Sequence, residues 1–160
     1  MAAIKKLGRE SIDALVVTID DLRAELAMID ENLMRSNYTP AQQAAAVSRR
    51  KAIYEELHPE TRAGVSGGKA RQKSASDNLS FAEITAEATG KDRRTIERAA
   101  ARGKALGDDI DGLEGTSLDK GYELDALAKM TPDERKPLID RAKAGERVSA
   151  RADSAFAFPA

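Results

Sequence analysis

AEITAEATGKDRRTIER, residues 82–98, is the stretch on which the fold turns. It reads as a short helix, a tight turn and the start of a longer helix. Two helices that cross steeply need a small residue at their contact, here Ala86. A glycine four residues later permits the turn, here Gly90, and an apolar residue six further on pins the second helix, here Ile96. Asp92 is placed to cap that second helix, which leaves Arg93, Arg94 and Thr95 in its first turn and puts Arg98 and Arg102 on one face. In a helix-turn-helix, side chains of that first turn reach base edges and phosphates in a major groove, where arginine holds guanine bidentately or grips a phosphate. Thr85, Thr89 and Lys91 stand where such motifs often carry apolar residues, so charged packing between helices is the alternative reading.

The charge distribution around this stretch points the same way. Residues 62–104 hold 10 Lys/Arg and 5 Asp/Glu, while residues 1–61 hold 8 and 10 and residues 105–160 hold 8 and 12. A net of −1 over 160 residues therefore conceals a basic centre between acidic arms, which suggests a local contact with a polyanion. A solvated basic helix face would give the same count. Immediately upstream, GVSGGKARQKSASD at 64–77 is too polar to pack and reads as a flexible basic linker. Its Lys69, Arg71 and Lys73 are expected to contact phosphates without reading sequence, and Lys91 is counted with the DNA-binding residues. The Gly-Gly-Lys within it lacks the spacing and the preceding strand of a phosphate loop.

Outward from this core the chain reads as helices. Asp20 caps a helix whose Leu22, Leu26, Ile29 and Leu33 line one face. Thr39-Pro40-Ala41-Gln42 opens an Ala-rich helix that ends at His58-Pro59, with Ile53, Tyr54 and Leu57 closing its apolar face. Ser80 to Glu83 and Thr131 to Glu134 are further capping boxes, and helices are expected at about 80–88, 92–106, 122–130 and 132–144. Ala2 to Leu7 makes a helical turn or two before Gly8. Residues 12–19 form the one β-branched stretch and read as a buried strand without a partner, the last of a domain whose earlier part is missing. The expected fold is mainly α: a multi-helical helix-turn-helix domain at 80–148, with one short N-terminal strand left from a truncated α/β domain at 1–36. A connecting helix at 37–58, the linker at 59–79 and a disordered tail at 149–160 complete the chain.

Composition closes off much chemistry. There is no cysteine, so no disulfide or thiolate metal site, and the single histidine, His58, sits at a helix end where a capping or exposed role is expected. No metal site is expected. Tyr38, Tyr54 and Tyr122 are too scattered for a base-stacking platform, and the acidic pair Asp108-Asp109 and later acidic residues read as solvated helix faces. No run approaches the roughly 20 apolar residues that span a bilayer, and MAAIKKLG lacks the apolar core of a secretory signal, so a cytoplasmic, nucleoid-associated protein with no membrane partner is expected.

Several segments together resemble one family. Asp30-Glu31-Asn32-Leu33-Met34-Arg35 followed by Thr39-Pro40, LHPET at 57–61, TAEATGKDRRTIER at 85–98 and GTSLDKGYELDALAKM at 115–130 look like the central part of the ParB-type plasmid and chromosome partition proteins, over about residues 1–150. The resemblance implies recognition of a palindromic site on double-stranded DNA by the helix-turn-helix, a homodimer, and a partition ATPase as a further partner. It also implies that Glu31, Asn32 and Arg35 correspond to the last of the family's nucleotide motifs, which contacts the phosphates and magnesium of CTP. Without the family label, Glu31 and Arg35 are an i,i+4 surface pair. The family's earlier nucleotide motifs have no counterpart in this sequence, so a non-enzymatic DNA-binding protein acting in segregation is the expectation. The alternatives are a CTP-dependent switch completed by a second chain, a helical adaptor and a transcriptional repressor.

Overall fold

The computed structural model describes residues 18–35, 38–59 and 81–152, and over these the chain is mainly helical, with no strand among the described residues. Residues 1–17 and 60–80, which hold the expected N-terminal helical turn, most of the expected strand and most of the linker, lie outside them, as does 153–160. Residues 18 and 19, the described end of the strand reading, are in neither helix nor strand.

The helices begin where short polar side chains satisfy free backbone N–H groups. Asp20 accepts from the N–H of Arg23 and opens α1, Asp21–Met34. Thr39 and Gln42 form a reciprocal capping box that opens α2, Pro40–Leu57, with proline in its first turn, where the missing N–H costs nothing. Helix α3 covers residues 81–89. Asp92 opens α4, Arg93–Leu106, which runs into a 3-10 turn, Gly107–Ile110. Helices α5, Gly121–Leu127, and α6, Pro132–Lys143, follow, the latter under the capping box of Thr131 and Glu134. Helix α5 stops three residues short of the expected end. Lys129 and Met130 donate to the carbonyls of Ala126 and Leu127 in tight turns, because Thr131 must be extended to cap α6.

Helices α2 and α4 form the central packing pair. Ala41 and Ala44 at the start of α2 join Leu106, Ile110, Leu113, Leu118, Leu124, Leu127 and Ile139 in one buried cluster. Further along the same helix, Val47 joins Leu33, Phe81, Ala82, Ile96 and Ala99 in a second. Residues of the 1–36, 37–58 and 80–148 segments thus share one body of packing. Gly103 sets how closely α2 and α4 approach: a Cβ there would stand 2.6 Å from the Ala44 carbonyl oxygen and 2.6 Å from Ser48 Cβ.

Two expectations at the acidic end are corrected. Asp109 is half-buried and paired rather than only solvated; its carboxylate accepts from Arg135 Nε at 2.6 Å, and Arg135 also donates to the Ala105 carbonyl at 3.0 Å, closing the C-terminal end of α4. Glu123 is buried, and its carboxylate accepts from Ser149 Oγ at 2.8 Å and from the backbone N–H of Ala150 at 2.7 Å. Residues 149–152, assigned by the sequence to a disordered tail, are therefore held: a carboxylate placed against free amides at the start of a helical turn seats Ala150 in the core.

Candidate nucleic-acid interface

The turn between α3 and α4 has the geometry that its residues predict. Gly90 sits at φ +67°, the left-handed region that a side chain disfavours, and the chain reverses there. Asp92 then caps α4, accepting from the N–H groups of Arg94 at 2.9 Å and Thr95 at 3.3 Å. Ile96 is fully buried, and Ala86 packs against the same cluster. The polar residues at normally apolar places are buried but satisfied. Thr85 accepts from Arg50 Nη1 at 2.7 Å, and the Thr89 hydroxyl donates to the Thr85 carbonyl at 2.6 Å.

Because α4 buries Ile96, Ala99, Gly103 and Leu106, its opposite side is set toward solvent. That side carries Arg94, Thr95, Arg98 and Lys104, all exposed, with Lys91 half-buried just ahead of the helix. Neither Arg94 nor Arg98 forms an ion pair at hydrogen-bond distance among the described residues. The other two arginines of the helix are engaged. Arg93 donates to Glu83 and Glu97, each at 2.8 Å, and the Glu97 hydrogen bond, then the charges of Glu97 and Glu83, push its pKa up. Arg102 holds Asp125 of α5 with both nitrogens, at 2.7 and 2.9 Å. The Arg102 hydrogen bond, then the charges of Arg102, Arg98 and Lys129, hold the Asp125 carboxyl below its usual value. Lys69, Arg71 and Lys73 lie outside the described residues.

Glu31, Asn32 and Arg35 are exposed on α1, and Arg35 donates to Glu31 one turn away. No hydrogen bond or ion pair joins the three to α4 among the described residues. Nor do three or more His, Asp or Glu side chains gather as a metal site among the described residues. His58 is exposed at the end of α2, its ring 4.6 Å from that of Tyr54. No helix among the described residues is long and apolar enough to cross a membrane.

What sequence reading does not find is the support beneath this face. Arg50, 3% exposed, donates to both oxygens of Asp30 on α1 at 2.6 and 3.1 Å, to Thr85 on α3, and lies 5.6 Å from the Phe81 ring centroid. It ties three helices together directly behind the helix-turn-helix. Asp119 does a similar service at the other end of α2, accepting from the Ala41 N–H at 2.9 Å. Compared with family models, with curated proteins and with solved structures, the chain has no match.

Proposed function

We propose that this chain is a sequence-specific DNA-binding protein of the ParB partition type, acting in plasmid or chromosome segregation, with α4 as the helix that enters the major groove. The observation that carries the reading is the solvent face of α4. A capped first turn presents Arg94 and Thr95, Arg98 follows one turn on, and the other two arginines of the helix, Arg93 and Arg102, are paired with Glu83, Glu97 and Asp125. Free guanidiniums at the exposed N-terminal half of a helix are what base-edge reading requires. A palindromic site would need two copies of the chain, each delivering one α4.

The test is selection from a random duplex library at low salt, followed by titration of the enriched and a random duplex. Arg94→Ala is expected to weaken the enriched duplex by about 1–3 kcal/mol and to spare the random one. Equal losses on both would remove the base-reading role. Enrichment of nothing, with binding that vanishes at moderate salt, would reduce the basic centre to an electrostatic patch.

A further inference from the structure

The basic face of α4 does not end with the helix. Arg102 leans onto α5, where its guanidinium packs so closely on Gly121 that a Cβ there would meet Nη2 at 3.0 Å. The next residue, Tyr122, is 49% exposed, and two cations lie over its ring: Lys120 Nζ at 5.9 Å and the Arg151 guanidinium carbon at 5.7 Å from the centroid. Tyr122 and Asp125 are exposed on the same side of α5, and Lys129 beyond it adds its charge at Asp125. Arg98, Lys129, Lys120 and Arg151 therefore gather with Tyr122 around the Arg102–Asp125 pair that joins α4 to α5. Three carboxylates border this cluster, with Asp125 held by Arg102, Asp119 by the amides of Ala41 and Gly115, and Glu123 by those of Ala150 and Arg151.

Helix α5 stands beside α4, joined to it by the Arg102–Asp125 pair, so a duplex contacted by Arg94 and Arg98 would pass beside the cations around Tyr122. We infer that Lys120, Tyr122 and Arg151 form a second DNA contact, a phosphate clamp on the strand flanking the bases that α4 reads. The inference rests on the reading of α4 as the groove helix. The cations supply charge, and the half-exposed tyrosine ring holds them in place.

The clamp is tested with full-length protein on the enriched duplex and a random one, by titrating affinity against salt for wild type, Lys120→Gln and Lys120→Gln/Arg151→Gln, with thermal melting as the folding control. Each phosphate contact removed should lower the slope of log affinity on log salt by about 0.9 and weaken binding on the order of tenfold at about 0.1 M salt. The losses should be equal on both duplexes, and the selected sequence should stay the same. Lys120→Gln leaves the Arg151 backbone bond to Glu123 untouched, so it reads the clamp even if the double variant melts early. Unchanged slopes, with Arg94→Ala still destroying site preference, would overturn the clamp and leave the groove reading standing. A loss confined to the enriched duplex would overturn it also, since phosphates carry no sequence. No binding of wild type to any duplex would remove both.

Discussion

Arg50 shows what a single side chain can decide. Its guanidinium is buried, and its partners come from three directions: Asp30 from α1, Thr85 from α3, the Phe81 ring beside it. Truncating it strands a carboxylate that is 21% exposed and a buried hydroxyl. Arg50→Met is therefore expected to cost about 3 kcal/mol, read as a lowered urea midpoint with little change in slope. A variant with wild-type stability would show that the pair contributes nothing net. Nothing local marks this residue. Asp30 is 20 positions away and Thr85 is 35 positions away, so in sequence Arg50 looks like Arg49, its exposed neighbour. Asp92 is the opposite case: its partners are two and three residues ahead, and its role was legible from the chain alone.

The same division holds for whole elements. Helix starts are written locally, and Asp20, Thr39, Asp92 and Thr131 each open a helix that the sequence predicts. Helix ends are less legible, because the stop of α5 depends on what α6 needs three residues later. Helix contacts are least so. Gly103 reads as a weak point in a helix-forming run, and by propensity alone Gly103→Ala should stabilise α4 by up to about 1 kcal/mol. The crossing of α2 over α4 reverses that sign, since the new methyl would meet backbone oxygen at 2.6 Å. We expect Gly103→Ala to destabilise by about 1–3 kcal/mol in chemical denaturation, and an increase in stability would mean that the two helices part freely. A lone glycine inside a helical pattern was the one signal that pointed there.

Across the molecule, charge pairing gives stability a pH profile. The carboxyls of Asp20, Glu25, Asp125 and Glu134 are held below their usual values of 3.8 and 4.5: Asp20 and Glu134 by backbone N–H groups at helix starts, Glu25 by Arg49 and Asp125 by Arg102. Lowered values in the folded state mean that the unfolded chain binds protons first as pH falls. The stabilisation is complete above about pH 4.5, and it is lost as pH drops through the folded values. Urea midpoints are expected to be level from neutral pH down to about 5 and to fall below about 4; a decline already at pH 6 would mean that other groups dominate. The placement of α2 has one more consequence. Because its first half is sealed into one cluster and its middle into the other, neither cluster can open without disturbing it. Its central amides should thus exchange with deuterium only through complete unfolding, at a rate set by global stability, whereas those of α1 and α6 escape through smaller local openings.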